Sequence, residues 1–272
     1  MDMNMSQELA VVIMAAGKGT RMTRDDLPKV CNLILGKPLI QYVVDQAKSL
    51  SATKIICIVG HKQEIVREVL EAEPVLFAEQ LQQLGTGHAV LQTAELLTDF
   101  DGDIIVLSGD VPLLKESTLR ALLAKHHSGN FAATVLTAIA ENPTGYGRVV
   151  RTSEDYFDQV VEHKDASEKQ LSIAEINSGI YVFDGQKLFA ELNKVGNSNA
   201  QGEYYLPDVL PLLQKSGAKV GVEICETFSE IQGINTVDEL KTVEAKILAS
   251  QEWPMNVVKR PYITAIFIII LI

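Results

Sequence analysis

The chain has 272 residues, 47% of them hydrophobic, enough to bury one large α/β core with at most a small appendage. It holds no low-complexity run and no internal repeat of fixed period, which excludes disorder and a solenoid. The 24 lysines and arginines against 35 aspartates and glutamates leave a net charge of −11, so no nucleic-acid partner that needs a basic surface is expected.

Residues 1–8 are polar and lack a basic region followed by an apolar signal core, so secretion is not expected and a cytoplasmic protein is. Residues 9–15, LAVVIMA, form a continuous apolar run that empties at once into Gly and basic residues. That pattern predicts a central parallel strand leading into a phosphate-binding loop. In residues 38–50, Leu39, Ile40, Val43, Val44 and Ala47 recur at helical spacing, and residues 55–59 supply the next β-rich run. The rhythm continues with a helix at 63–70, a strand at 75–78, a helix at 87–97 and a strand at 103–107. Strands alternating with helices predict a Rossmann-like α/β fold with a mainly parallel sheet flanked by helices. Sites in such sheets lie beyond the carboxyl ends of the strands, where Gly17 and Asp110 converge.

After a helix at 116–127 and a strand at 132–138 come Gly145, Gly147 and shorter β-like runs at 149–151, 159–162 and 179–183. They predict a smaller antiparallel region beside a substrate pocket. A helix at 206–214, a strand at 220–224 and a closing amphipathic helix at 236–251 follow, the last with Val237, Leu240, Val243, Ile247 and Leu248 on one face. The expected division is a domain over residues 1–252 and an atypical apolar tail over 253–272. The last ten residues, ITAIFIIILI, reach half of the roughly 20 apolar residues a spanning helix needs, so membrane contact through the tail is not expected. A buried strand, a partner-binding segment or the scar of a truncation fit it as well. Cys31, Cys57 and Cys225 sit in apolar surroundings without a CxxC spacing and read as small buried hydrophobes in a reducing cytosol.

Three motifs carry chemistry. Gly17-Lys18-Gly19-Thr20-Arg21 follows a predicted strand, and its glycines let backbone N–H groups turn toward an anion while Lys18 and Arg21 add charge. It has neither P-loop nor dinucleotide spacing, so an ordinary strand-to-helix turn stays open. Lys29, after Pro28, can point back toward that loop, although by itself it reads as a surface lysine. Asp110 in LSGDVP ends an apolar strand, where it suits a Mg²⁺ ligand or the cap of the following turn.

Taken in order, IMAAGKGTRM, LPKV, QLGTGHAV, SGDVP, GYGR, VEHKDA, EINSGIY, AQGEYYLPD and GIN resemble the uridylyltransferase domain of bacterial bifunctional N-acetylglucosamine-1-phosphate uridylyltransferases. The resemblance runs over residues 9–251. It implies transfer of UMP from UTP to N-acetylglucosamine-1-phosphate with Mg²⁺ as cofactor. It also implies that Ala15, Ala16 and Gly17 run along the nucleotide, that Lys18, Gly19, Thr20 and Arg21 surround the triphosphate, and that Lys29 neutralises phosphate charge. Arg21, Lys29 and Asp110 are the implied catalytic set. Gln80, Gly85 and Thr86 would read uracil, Asp110 and Asn235 would hold the metal, and Gly147, Glu162 and Asn177 would bind the sugar.

Without the resemblance, Glu162 reads as a solvated charge, Gln80 as an exposed amide, and Asn177 and Asn235 as turn residues. His61, His88 and His163 read as structural or surface groups, because no spacing pairs them as metal ligands or with a nucleophile. The bifunctional relatives continue into a hexapeptide-repeat domain that performs acetyl transfer and forms trimers. No such repeat follows the closing helix, so acetyl transfer is not expected and the oligomeric state stays open. A transferase for another sugar-1-phosphate and a weakly active regulatory module of the same fold are the alternatives.

Overall fold

The computed structural model describes residues 8–17, 19 and 27–249. The apolar tail and the boundary expected at 252 lie outside them. The amino-terminal half runs β1 (Glu8–Met14), β2 (Leu33–Ile34), β3 (Lys37–Pro38), α1 (Leu39–Ser49), β4 (Lys54–Val59), α2 (Gln63–Val69), β5 (Leu76–Glu79), α3 (Thr86–Leu91), β6 (Gly102–Ser108) and α4 (Glu116–Gly129). The rest runs β7 (Ala133–Ile139), β8 (Arg148–Arg151), β9 (Phe157–Val161), α5 (Glu168–Leu171), β10 (Glu175–Asp184), α6 (Gly185–Leu192), α7 (Val209–Lys215), β11 (Val220–Ile224), α8 (Phe228–Ile231) and α9 (Val237–Ala249).

The main sheet has the order β11-β7-β10-β6-β1-β4-β5. β1 pairs in parallel with both β4 and β6, β4 with β5, and β7 with β11. Along that order, among the described residues, only β10 runs against its neighbours, β6 and β7, so the mainly parallel sheet expected from the βαβ rhythm is what forms. β1 reads as an unbroken apolar run because both of its faces are covered. Val11 and Ile13 join α1 residues Val43, Val44 and Ala47 on one side. Ala10 and Val12 join Val90, Leu206 and Leu210 on the other. Side chains alternate across the strand, and each large aliphatic group so buried contributes about 1.5–3 kcal/mol. All three cysteines are free and buried, as their surroundings predicted.

Two predicted elements change shape. The helix expected over 87–97 stops at Leu91 and resumes as a 3₁₀ turn at Glu95–Leu97. Thr93 Oγ1 donates to Val90 O at 2.7 Å while Thr93 N bonds the same carbonyl at 3.0 Å, which draws the chain into tighter three-residue turns. The run expected at 179–183 is the second half of a ten-residue strand, β10. Asn177 pairs with Thr137 but Ile180 with Leu136, leaving Ser178 and Gly179 as a bulge. Asn-Ser-Gly reads locally as a turn, and the sheet turns it into a kink instead. The β8–β9 hairpin attaches ahead of that kink, through Ile176 and Arg148, and forms the smaller antiparallel region. Among the described residues, no helix is long and apolar enough to cross a membrane.

Candidate active site

The carboxyl ends of β1, β4, β5 and β6 open into one cleft. Backbone bonds carry the ladder past the strand ends: Ala15 N to Ile58 O at 2.9 Å, Gly109 N to Met14 O at 3.0 Å and Gln80 N to Val59 O at 2.8 Å. The cleft, about 270 Å³, is lined by the expected Ala15, Ala16, Gly17, Lys29, Gln80, Gly85, Thr86 and Asp110, and also by Gln83, Ser108 and Glu203. Crevices at this end of an open α/β sheet are where such folds bind ligands.

Gly19 takes φ +62°, and a Cβ there would come 2.5 Å from Lys29 Cβ. The loop and Lys29 are therefore packed together, as the position of Lys29 after Pro28 predicted, and only glycine permits the approach. Lys18, Thr20 and Arg21 lie outside the described residues.

Lys29 donates from Nζ to Asp110 Oδ2, and to Asn235 Oδ1 at 2.7 Å. The nearest following helix, α4, begins after Lys115 without a side-chain cap, so Asp110 does not cap it; its carboxylate faces Lys29. Asn235 is delivered by Ile234 N, which bonds Asp110 O at 3.0 Å, and by a reciprocal cap at the start of α9. Glu239 Oε2 accepts from Asn235 N at 2.6 Å and Thr236 N at 3.1 Å, while Thr236 Oγ1 accepts from Glu239 N at 3.2 Å. Thr236 with Glu239 three residues on is a capping-box signature readable from sequence. Two acceptor oxygens, one carboxylate and one amide, thus converge on a single ammonium. Among the described residues, no group of three or more His, Cys, Asp or Glu side chains stands ready for a metal. A small hard cation that keeps water and phosphate ligands needs no such group, and this donor set fits Mg²⁺.

On the far wall, Gln80 is buried, 4% exposed, where its residue type alone predicts exposure. Its Nε2 donates to Gly85 O at 3.0 Å and lies 3.0 Å from His88 Nδ1. Gly85 takes φ +114° with its Cα crowded by Tyr204; a Cβ would meet Tyr204 O at 2.5 Å. Thr86 Oγ1 accepts from Leu206 N at 2.9 Å, and Gly87 N donates to Tyr204 O at 2.8 Å.

The expected sugar residues form a neighbouring cluster: Gly147 just before β8, Glu162 just after β9 and Asn177 just before the β10 bulge. Asn177 N donates to Gly147 O at 2.9 Å, and a Cβ on Gly147 would sit 3.1 Å from Glu162 Oε1. The Asn177 side chain donates to Tyr181 Oη at 2.7 Å and accepts from Gly179 N at 3.1 Å, so its amide orientation is set. Burial, reinforced by the nearby charges of Asp208, Asp165 and Glu203, holds the Glu162 carboxyl above the usual carboxylate range. The loop around residues 199–206 ties the two clusters together. Ala200 N bonds Asp165 Oδ1 at 2.8 Å on the sugar side, while Tyr204 N bonds Leu84 O at 2.8 Å on the other. None of Gly147, Glu162 and Asn177 lines the cleft that holds Gln80 and Lys29.

Sequence reasoning set His88 aside as a structural or surface group and did not single out Tyr181 or Glu203, all of which touch or flank the expected site residues. His88 carried a signal: it stands in the first turn of the helix that Gly85 opens. Tyr181 carried none, because only the bulge brings it under Asn177.

The nucleotidyl transferase family profile matches residues 10–247. The bifunctional protein GlmU of Bacillus cereus is 48% identical over 244 residues, which is 90% of this chain and 52% of that protein. The bifunctional proteins GlmU of Bacillus thuringiensis and Bacillus anthracis match to the same extent. The chain therefore spans about half the length of the curated relatives it matches, 52%. Among solved structures, UDP-glucose pyrophosphorylase complexed with UDP-glucose superposes with a TM-score of 0.72 at 18% identity, over 89% of this chain and 99% of that one, which is a likeness of fold.

Proposed function

Because the chain belongs to the nucleotidyl transferase family, we propose that it transfers UMP from UTP to N-acetylglucosamine-1-phosphate, giving UDP-N-acetylglucosamine and pyrophosphate. The observation that carries this reading is the convergence of Lys29, Asp110 and Asn235 at the mouth of a glycine loop, in a cleft whose opposite wall presents the buried Gln80 amide.

A phosphate oxygen of the sugar phosphate attacks the α-phosphorus of UTP; the new P–O bond forms as the bond to the β-phosphate oxygen breaks and pyrophosphate leaves. The attacking oxygen is already anionic at neutral pH, so no side chain has to remove a proton from it. The work of the protein is to align the two phosphates and stabilise charge. Lys29 supplies a positive charge beside the loop whose sequence also carries Lys18 and Arg21. Asp110 and Asn235 are the residues that would hold Mg²⁺, which when bound neutralises phosphate oxygens. Gln80, Gly85 and Thr86 hold the uracil, and hydrogen-bonding groups rather than charge let that wall tell one base from another. Gly147, Glu162 and Asn177 take the sugar hydroxyls and the acetamido group. Free, buried thiols at Cys31, Cys57 and Cys225 suit the cytoplasm, the compartment we propose.

A coupled pyrophosphate-release assay with four nucleoside triphosphates and several sugar-1-phosphates tests the reading. Turnover is expected with UTP and N-acetylglucosamine-1-phosphate in the presence of Mg²⁺, and its loss on chelation. Faster turnover with another sugar phosphate or base would replace the proposed substrates.

A further inference from the structure

Gly85 O can only accept a hydrogen bond, so the side-chain atom of Gln80 that faces it at 3.0 Å is the amide nitrogen. The same nitrogen lies 3.0 Å from His88 Nδ1. An amide nitrogen has no lone pair to offer, so Nδ1 must be the acceptor and the ring must carry its proton on Nε2. Both N–H bonds of the Gln80 amide are then spent inside the protein. Its Oε1, which meets no donor among the described residues, is left for whatever occupies the cleft that Gln80 lines.

At the other ring nitrogen, Gln92 Nε2 stands 3.3 Å from His88 Nε2 while donating to His88 O at 2.9 Å. With the proton on Nε2 that longer contact joins two donors and holds no bond. The opposite tautomer would instead set an Nδ1–H against the shorter contact, where Gly85 O already holds the Gln80 amide nitrogen. Gln92 is only half-buried and can rotate. The geometry therefore decides the tautomer at Gln80.

We propose that His88, held as its Nε2–H tautomer, is the positioning residue that keeps Gln80 Oε1 turned to the base and thereby sets the preference for UTP over CTP. Uracil offers an N3–H donor where cytosine has a bare ring nitrogen, and O4 where cytosine has an amino group. An amide fixed with its oxygen outward accepts from N3–H and meets only lone pair at the cytosine nitrogen. An amide free to flip would satisfy either base. The proposal rests on the reading that Gln80 contacts the base.

The test compares kcat/KM for UTP and CTP in the wild type, His88→Leu, His88→Asn, Gln80→Ala and the double variant His88→Leu with Gln80→Ala, using inhibition constants where CTP turnover is too slow to read. His88→Leu should lower the UTP:CTP ratio about tenfold, the worth of one hydrogen bond. His88→Asn, whose Oδ1 can accept in place of Nδ1, should stay within about threefold of wild type, a fraction of that same bond. In the Gln80→Ala background, His88→Leu should change nothing further. If Gln80→Ala lowers the ratio and folded His88→Leu does not, the base reading stands and the role of His88 is overturned. If Gln80→Ala leaves the ratio unchanged, both fall. Ring ¹⁵N shifts of the wild type give a reading that depends on no variant folding: an unprotonated Nδ1 at neutral pH is expected, and a protonated Nδ1 overturns the proposal.

Discussion

Lys29 and Asp110 stand 81 residues apart in the chain yet share an ion pair at the cleft, with both side chains mostly buried. The same ammonium reaches Asn235, 206 residues from Lys29. One positive charge therefore gathers three segments that enter the cleft separately, and it occupies the point on which the two proposed metal ligands converge.

Asp110→Asn keeps the shape and most of the hydrogen bonding but removes the charge. We expect pyrophosphate release to fall about 10²–10³-fold, the usual cost of losing one electrostatic partner of a developing charge. Circular dichroism of the variant should match the wild type. Near-normal turnover by folded Asp110→Asn would remove the metal assignment.

Gly85 and Gly36 both have positive φ, but only Gly85 is crowded, with Tyr204 O 2.5 Å from where a Cβ would stand. Gly36→Ala should cost about 1 kcal/mol of backbone strain, and Gly85→Ala about 2–4 kcal/mol because the loop at Tyr204 must also move. Urea denaturation of the two variants measures the difference. Equal losses would mean that the loop around Tyr204 yields without cost.

Asp103 is 2% exposed, and burial alone would raise its pKa. Hydrogen bonds and charge from His126 and His127 outweigh that, and hold the carboxyl below its usual range. Folding then favours the ionised form, so this stabilisation is present above the ordinary carboxylate pKa and is lost as pH falls through the lowered folded value. Asp103→Asn should be less stable than wild type by about 1.5–3 kcal/mol at neutral pH, the worth of hydrogen bonds to a charged group. The gap should close in acid. A gap independent of pH would show that packing, not charge, sets it.

Glu162 has the opposite sign. Its carboxyl is raised by burial and by Asp208, Asp165 and Glu203, so the folded protein holds the proton longer than the unfolded chain. Its contribution favours folding at low pH and declines as pH rises from the ordinary carboxylate value through the raised folded one. Thermal melts across that window should show wild type losing stability relative to Glu162→Gln. The same variant should raise KM for the sugar phosphate about tenfold, one hydrogen bond to a hydroxyl, with a smaller change in kcat.

The local pattern of residues determined a good deal by itself. A doubly covered strand must be apolar throughout and a flanking helix apolar on one face, so β1, α1, β4 and β6 were legible from periodicity, and with them the parallel sheet and the end at which its cleft opens. The loop and Asp110 were legible as motifs, and Asn235 only through the family resemblance. What tertiary structure alone decided is which of these groups meet. β10 runs against its neighbours and breaks register at Ser178 and Gly179, which turns an apparent turn into the kink that seats Asn177 on Tyr181. Gln80 and Asn235 have partners that no spacing announces, since Gln80 meets Gly85 and His88 while Asn235 meets Lys29. Periodicity reports how a segment meets solvent, because burial acts on every residue of that segment. A hydrogen bond between Lys29 and Asn235 depends on one donor reaching one acceptor, and that distance exists only after the sheet has formed.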